Sequence, residues 1–505
     1  MTVEQKRAAN PETSAWVTAS AGTGKTSVLT NRVLRLLFMG TKPSRILCLT
    51  FTRAAAAEMA IRINNQLSGW ATMEEAKLRN ELQELTGVPA STTEVSHARG
   101  LFAQVLDAPG GLHIETLHGF CQSVLRRFPI EAGVTPQFQV ADERRQQELL
   151  SIARTRLLRE ARHGTDDALA DALATISATI DEGRFDDLMV SLTGSRDRLS
   201  HFLHAFGGSD GAIAALRTEL GLAPGETAET IIKEFSENAA FDSKALAEVV
   251  TIFQDGGIKE KQAGITMLAW LTATPSGRVA MFENYIRVFL TIKDAQRKNF
   301  PLKKTREEKA AATATYQMEC DRVLAIVMRL KAAGVARSTS ALVLFGARLL
   351  QYYEREKARF GVLDYDDQIE RTKSLLVQPG MAPWVLFKLD GGIDHILVDE
   401  AQDTSPAQWD IIAGLAGDFF PGDGARELAR TLFAVGDEKQ SIFSFQGADP
   451  YALSAMRQTF KAQAERAGLP WDDVPLARSF RSVAPVLTAV DATFSSESAA
   501  EGVAL

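Results

Sequence analysis

The stretch TASAGTGKTSVL, residues 18–29, constrains the fold more than any other part of the chain. A short apolar run, AWVTA, leads into it, and the amphipathic pattern SVLTNRVLRLL follows it. Glycines between a strand and a helix let the backbone curl, so that N–H groups and the positive helix end face an anion. The spacing Ala19-x4-Gly24-Lys25-Thr26 nearly fits the phosphate-binding loop, with alanine at its first glycine position. The chain is therefore predicted to contain an α/β sheet that binds a phosphate group.

The same loop predicts which side chains surround the phosphates. Lys25 would reach the β- and γ-phosphates, and the Thr26 hydroxyl would ligate Mg²⁺. The predicted ligands are therefore ATP and Mg²⁺. The predicted nucleotide-binding residues of the loop are Ala19, Ser20, Ala21, Gly22, Thr23, Gly24, Lys25 and Thr26.

A second motif, ILVDEAQDTS at residues 396–405, supplies the acidic group that a phosphate loop needs. Apolar residues run directly into two carboxylates, Asp399 and Glu400. Asp399 is predicted to bind Mg²⁺, through water, because Mg²⁺ keeps much of its hydration. Glu400 is the predicted general base for the attacking water. An acidic loop at a strand end would explain this motif alone, but its pairing with a phosphate loop favours phosphoryl transfer.

The pattern along the chain predicts an α/β domain that is interrupted by a large all-helical insertion. Short apolar runs bounded by polar residues predict parallel strands at residues 15–19, 45–50, 395–400 and 431–437. From about residue 130 to residue 350 the periodicity is helical instead. One predicted helix, which ends at His163-Gly164, has an apolar face formed by Leu149, Ala153, Leu157 and Ala161.

Composition narrows the class of protein. A length of 505 residues predicts several domains. Three scattered cysteines without CxxC spacing argue against a disulfide scaffold or a zinc or iron–sulfur cluster, and they fit a cytoplasmic location. Neither a secretory signal nor a membrane-spanning run is predicted. The net charge of −7 argues weakly against a nucleic-acid partner, although basic clusters such as Arg126-Arg127 and the run from Arg297 to Lys309 could line a groove.

Several segments together resemble, in order and rough spacing, the motifs of superfamily 1 helicases of the UvrD type. The segments are Gln5 in VEQKRAAN, ASAGTGKT, LTFTRAAAAEM at 49–59, TLHGFC at 116–121, VLDYDDQI at 362–369, VDEAQDTSPAQWDII at 398–412, VGDEKQSIFSFQGADP at 435–450 and ARSFRS at 477–482. Longer phrases, such as ETLHGFCQSVLRRFPIEAGV, most resemble the AddA group of helicase–nuclease subunits, with RecB the nearest alternative. An unrelated phosphate-loop enzyme, such as a small-molecule kinase, would need to match these motifs by chance.

The resemblance implies roles for residues outside the phosphate loop. Gln5 would read the adenine edge, and Phe480 would stack on the adenine. Arg481 would act as an arginine finger on the γ-phosphate. Gln440 would sense the γ-phosphate and link it to the DNA site.

The resemblance also implies a path for single-stranded DNA, on which bases stack against aromatic side chains. The residues expected to face the DNA are Phe51, His118, Phe443 and Phe445. Each of these aromatic residues, taken singly, would fit a core position better. Where UvrD-type relatives often have Trp-Arg, this chain has Phe445-Gln446, so stacking is kept and one charge is lost.

The family's domain plan implies two RecA-like domains. Residues 1–129 and 351–472 would form the first (1A), with its phosphate loop in the first part and its DEAQD and GDEKQ motifs in the second. Residues 130–350 would be a helical insertion (1B-like). Residues 473–505 would be the truncated start of a second RecA-like domain (2A), expected to lack partner strands.

The function implied by this resemblance is an ATP-dependent 3′-to-5′ DNA helicase or translocase of recombinational double-strand break repair, present as its N-terminal portion. Its implied partners are single- or double-stranded DNA and an AddB-like subunit. The alternative is an ATP- and single-stranded-DNA-binding module without motor activity, because the second motor domain and the nuclease would be missing. The sequence leaves open whether 505 residues are the whole gene product.

Overall fold

The computed structural model describes residues 1–164, 166–237, 239, 241–378, 380–388, 392–417, 419–420, 430–442, 448–495 and 499. It divides into two compact units. The first joins Met1–Asp142 to the described residues from Gly361 onward, and the second is Glu143–Phe360. The first unit is α/β and the second is helical, so the predicted fold class, a parallel sheet with a large helical insertion, is confirmed.

The strands lie in the first unit. In chain order they are β1 (Ser14–Ala19), β2 (Ile46–Thr50), β3 (His113–Thr116), β4 (Gln139–Val140), β5 (Val362–Leu363), β6 (His395–Val398), β7 (Thr431–Gly436) and β8 (Trp471–Leu476). Within the described residues, six strands form one parallel sheet in the order β3-β2-β6-β7-β1-β8, and β4 pairs with β5. The four predicted strands are confirmed as β1, β2, β6 and β7.

Helices surround this sheet. Before the insertion they are α1 (Val3–Ala8), α2 (Lys25–Phe38), α3 (Arg53–Thr72), α4 (Glu75–Thr86), α5 (Thr92–Asp107) and α6 (Leu117–Arg127). The helices of the second unit are α7 (Glu143–His163), α8 (Asp167–Ser177), α9 (Glu182–Gly194), α10 (Arg196–Ala205), α11 (Ser209–Glu219), α12 (Ala228–Ser236), α13 (Ser243–Gln254), α14 (Ile258–Thr272), α15 (Pro275–Phe289), α16 (Lys303–Glu308) and α17 (Ala310–Phe360). After the insertion come α18 (Tyr365–Val377), α19 (Met381–Lys388), α20 (Pro406–Ala416), α21 (Pro450–Arg466) and α22 (Ala484–Thr493).

The strands are apolar on both faces because helices cover the sheet on both sides. Successive side chains of β1 enter different cores: Trp16 packs with Trp409 in one, and Val17 packs with Val28 in the other. Every residue of β2 and β7 is buried. The central strands are therefore held in place by packing on both faces, and the polar loops follow their carboxyl ends.

The helical unit has its own aromatic core. Trp270 stacks on Tyr285 with ring centroids 4.0 Å apart, and both side chains are buried. The predicted apolar face of α7 is confirmed, since Leu149, Ala153, Leu157 and Ala161 are its buried residues. A core of this kind lets the insertion bury its own apolar surface.

The segment after residue 470 differs from its expected arrangement. Residues 473–505 are expected from the sequence to lack partner strands, and this expectation is wrong for the strand itself. All six residues of β8 pair in parallel with β1. Val474 and Leu476 complete a core of the first unit, which is the physical reason for the pairing. The start of a second RecA-like domain at residue 473 stays a prediction.

Candidate functional site

Three polar segments meet at one edge of the sheet because they follow neighbouring parallel strands. The phosphate-binding loop follows β1, the acidic motif follows β6, and the segment from Asp437 to Gln440 follows β7, which lies between them. Ligands of open α/β sheets bind at this carboxyl edge. Strand order therefore brings together Lys25 and Glu400, which are 375 residues apart in the chain.

The phosphate-binding loop has the backbone that its glycines predict. Gly22 and Gly24 adopt φ angles of 76° and 87°, the left-handed region that costs glycine little. The buried Thr23 closes the turn, since its hydroxyl donates to the Ser20 carbonyl at 2.8 Å. Gly24 caps α2 without a side-chain acceptor, so the first-turn N–H groups of α2 are available to an anion.

Lys25 and the acidic motif are in direct contact. Lys25 Nζ lies 2.9 Å from Glu400 Oε2. Glu400 itself has a left-handed backbone, with φ 49° and ψ 46°, which is uncommon for a residue with a side chain. Strained conformations of this kind concentrate at functional sites. The predicted pairing of the phosphate loop with this carboxylate couple therefore has a geometric basis.

Asp399 is buried at the end of β6, and its carboxylate oxygen Oδ1 accepts the Glu400 N–H at 3.0 Å. Burial, followed by repulsion from Glu400, raises the pKa of Asp399 to about 6. Asp403, one turn further on, has its pKa raised to about 6 by the same two causes in the same order. Because burial and mutual repulsion disfavour the ionised forms of these carboxylates, the site suits a cation that would stabilise those forms.

We expect Asp399→Asn to stabilise the protein at neutral pH. The pKa of Asp399 in the folded chain, about 6, lies above the ordinary value of 3.8. The contribution of Asp399 to stability is therefore fully present below pH 3.8 and is lost as the pH rises through 6. The variant should gain about 1–3 kcal/mol in the free energy of unfolding at pH 7.5. Urea denaturation at pH 7.5 and 4.5 measures this gain, which should shrink at the lower pH.

The matched control is Asp107→Asn at the exposed end of α5, which should change stability little at either pH. Destabilisation of the Asp399→Asn variant at pH 7.5 would contradict the claim that the buried, ionised Asp399 lowers stability at that pH.

A chain of hydrogen bonds joins the acidic motif to the segment after β7. Gln402 Nε2 donates to Glu400 Oε2 at 2.9 Å, and Gln402 Oε1 accepts the Asp437 N–H at 2.9 Å. The predicted sensor Gln440 donates from Nε2 to Asp437 Oδ2 at 2.5 Å. Gln402 has no role in the sequence-based prediction; its only signal is its place two residues after Glu400, in a polar run that follows an apolar strand.

The predicted adenine and arginine residues also lie against the phosphate-binding loop. Gln5 Nε2 donates to the Thr23 carbonyl at 3.2 Å. The Phe480 N–H donates to the Gly22 carbonyl at 2.8 Å, and a Cβ on Gly22 would come within 2.5 Å of Arg481 Cβ. Glycine is therefore required at position 22 for close approach as well as for its φ angle. The structure brings these residues together across the whole length of the chain.

Two of the predicted DNA-facing residues lie beside this site. Phe51 and His118 line a small cavity with Asp399, Thr404 and Gln408. The His118 ring packs edge-on against Tyr365, with centroids 5.3 Å apart, and burial lowers the pKa of His118.

Two predicted DNA-facing residues, Phe443 and Phe445, lie outside the described residues, as does Gln446. Arg53 and Tyr365, which have no role in the sequence-based prediction, line a neighbouring cavity of about 200 Å³ with His118. The signal available for both was their position inside the quoted motifs. The described residues therefore place half of the predicted DNA-facing set at one edge of the sheet.

Two features are absent from the described part of the chain. No helix there combines the length and the apolar character needed to span a bilayer. No three His, Cys, Asp or Glu side chains there converge as a metal-binding group.

Comparison with known proteins gives the family. The family model described as the UvrD/REP helicase N-terminal domain matches residues 1–461. Similar proteins, named as ATP-dependent helicase/nuclease subunits, occur in Lactiplantibacillus plantarum (26% identical, covering 93% of this chain and 37% of the relative) and in Lactobacillus helveticus (26% identical, 98% and 40%). A third, from Geobacillus thermodenitrificans, is 26% identical over 95% of this chain and 38% of its own length. The chain thus spans less than half of the length of these relatives. The resemblance read from the sequence motifs is confirmed, and the chain belongs to the UvrD/REP helicase N-terminal domain family.

Proposed function

We propose that this chain hydrolyses ATP and uses the reaction to move along single-stranded DNA, as a helicase or translocase. The observation that carries the proposal is the contact of Lys25 with Glu400 at 2.9 Å, beside the buried Asp399 and the segment that carries Arg481. A phosphate-binding lysine, a metal-binding carboxylate, a base and an arginine are the parts that phosphoryl transfer requires. Membership of a helicase family, and similarity to proteins named as helicase/nuclease subunits, support DNA as the polymer along which the chain moves.

The residues present fit Mg²⁺ as a cofactor. The Asp399 carboxylate and the Thr26 hydroxyl are hard oxygen ligands, which Mg²⁺ prefers, and the raised pKa of Asp399 leaves room for a cation to favour its ionised form. Substrate phosphates and water would complete the ligand set. Mg²⁺ bound there would neutralise charge on the phosphate oxygens.

In the proposed reaction, each remaining group acts on the bound nucleotide. Lys25 leaves Glu400 and binds the β- and γ-phosphates. Glu400, freed from that ion pair, accepts a proton from the attacking water. Arg481 offsets the charge that develops on the γ-phosphate, and Gln440 senses that phosphate. Gln5 and Phe480 hold the adenine.

We further propose movement in the 3′-to-5′ direction and a role in double-strand break repair. The proposed partner is an AddB-like subunit, and the proposed location is the cytoplasm. Phe51, His118, Phe443 and Phe445 are the proposed base-stacking residues, and stacking on each contributes about 1–3 kcal/mol per base. Hydrolysis would shift these rings relative to the strand.

A second candidate is an ATP- and DNA-binding module without motor activity. The observation that favours it is the exposure of α22, the helix that follows Arg481. None of its described residues is buried. Val486 and Val490 are 52% and 48% exposed. An arginine on a segment with so little support would be poorly oriented, and orientation carries much of phosphoryl-transfer catalysis.

The test is ATP hydrolysis by the 505-residue chain with and without single-stranded DNA. We expect DNA to raise the turnover number. Nucleotide binding without stimulation would favour the binding module instead. A chain that binds no nucleotide by calorimetry would contradict both candidates. Unwinding of duplexes with a 3′ or a 5′ single-stranded tail then decides polarity, and 3′ tails should be preferred.

A further inference from the structure

The Gln402 side chain lies between the acidic motif and the segment after β7. It is 2% exposed and belongs to the 3₁₀ turn Ala401–Asp403. Its amide makes three hydrogen bonds: Nε2 donates to Glu400 Oε2 at 2.9 Å and to Asp403 Oδ2 at 3.1 Å, and Oε1 accepts the Asp437 N–H at 2.9 Å. Each partner therefore belongs to the candidate site.

The orientation of this amide follows from its partners. The Asp437 N–H can only donate, so it must face the amide oxygen. The amide nitrogen then faces the carboxylates of Glu400 and Asp403, which in their ionised forms only accept. The opposite orientation would set a donor against a donor and acceptors against acceptors. Only one orientation satisfies all three contacts.

Gly436, the last residue of β7, leaves room for this side chain. A Cβ at position 436 would lie 2.8 Å from Gln402 Oε1 and 3.1 Å from Gln402 N. Both distances are shorter than an ordinary van der Waals contact, and the second atom is backbone that cannot turn aside. The approach of Gln402 to the segment after β7 thus depends on the missing side chain at Gly436.

Lys25 and Gln402 share one acceptor. Both donate to Glu400 Oε2, each at 2.9 Å. In the proposed mechanism Lys25 leaves Glu400 for the phosphates, and Gln402 is then the donor that still holds the carboxylate. Through Asp437, Gln402 also reaches Gln440, the proposed γ-phosphate sensor.

We propose that Gln402 is a positioning residue, which orients the Glu400 carboxylate and couples it to Gln440 through Asp437, whose N–H donates to Gln402 and whose carboxylate accepts from Gln440. This inference rests on the proposed ATP hydrolysis, because the orientation matters only if Glu400 acts on water. Gln402 does not itself touch the nucleotide. Its effect should therefore fall on turnover and not on nucleotide affinity.

The test is Gln402→Met, which keeps the length of the side chain and removes all three hydrogen bonds. We expect kcat for ATP to fall by about 100-fold, the scale of a misplaced catalytic group. The nucleotide dissociation constant, measured by calorimetry, should stay close to that of the wild type. Hydrogen–deuterium exchange of peptides covering residues 435–442 should become faster, because the Asp437 N–H loses its acceptor.

The matched control is Gln66→Met on α3, which removes an amide-to-carboxylate hydrogen bond of the same length, 2.9 Å to Glu81, away from the site. It should change neither kcat nor exchange at residues 435–442. Gly436→Ala is the second variant, because it displaces the Gln402 amide without changing it. It should lower kcat and speed exchange as Gln402→Met does.

The inference is overturned if both variants keep wild-type turnover, or if exchange at residues 435–442 is unchanged in both. A loss of nucleotide affinity equal to the loss of kcat also overturns it, because Gln402 would then serve the fold of the binding site. If the wild-type chain fails to bind ATP, the proposed function falls. In that case hydrogen–deuterium exchange at residues 435–442 still tests whether Gln402 holds the Asp437 N–H.

Discussion

Replacing Lys25 with alanine is expected to take ATP hydrolysis close to background while the chain stays folded. Lys25 is the cation that the phosphate-binding loop presents, and it forms an ion pair with the Glu400 carboxylate at 2.9 Å. Loss of one preorganised charge that stabilises the transition state costs about 10²–10³-fold in kcat. Steady-state hydrolysis, measured with circular dichroism to confirm folding, gives the result.

The control for this variant is Lys42→Ala, an exposed lysine just before β2 at the opposite edge of the sheet. It removes the same charge and should leave hydrolysis unchanged. Hydrolysis that persists in the Lys25→Ala variant would mean that the loop after β1 does not hold the reacting phosphates. The small ion-pair contribution of a partly exposed partner predicts little change in thermal stability, since Glu400 is 37% exposed in its side chain.

Glu400→Gln is expected to separate nucleotide binding from turnover. The amide keeps the size of the carboxylate and can still face Lys25, but it cannot accept a proton from water. Turnover should fall by about 10²–10⁴-fold, the usual contribution of a general base. Nucleotide affinity should be kept, because the phosphate-binding loop and Asp399 are untouched. Single-turnover hydrolysis and calorimetric titration measure the two quantities.

Glu75→Gln is the matched control for the base. Glu75 is also paired with a cation, Arg79, at 2.7 Å, but on α4, away from the carboxyl edge of the sheet. The control should hydrolyse ATP like the wild type. A Glu400→Gln variant that fails to bind nucleotide would contradict the role of Glu400 as the base and would indicate that it maintains the structure of the site.

Local pattern was enough to predict the parts of the fold that a short window encodes. The strands β1, β2, β6 and β7 are buried apolar runs with polar ends, and the glycines of the phosphate-binding loop have the backbone angles that the motif requires. The helix α7 has the buried face that its spacing predicts. In each case the residues that determine the structure belong to one short segment of the chain.

Contacts between distant segments could not be predicted in this way. The edge strand β3 is half-buried and only four residues long, so it carries no strong pattern. The pairing of β8 with β1 depends on which surface the sheet leaves open, and no local signal records that surface. The Gln402 amide finds its partner just after β7, 35 residues away, and the packing of Arg481 on Gly22 joins the two ends of the chain.

A structure of the chain with Mg²⁺ and a non-hydrolysable ATP analogue tests the central claim most directly. We expect the Lys25 ammonium to leave Glu400, from its present 2.9 Å, and to contact the phosphates, with the metal beside Asp399. A nucleotide bound elsewhere, with the pair of Lys25 and Glu400 unchanged, would contradict the assignment of this edge of the sheet as an ATP site.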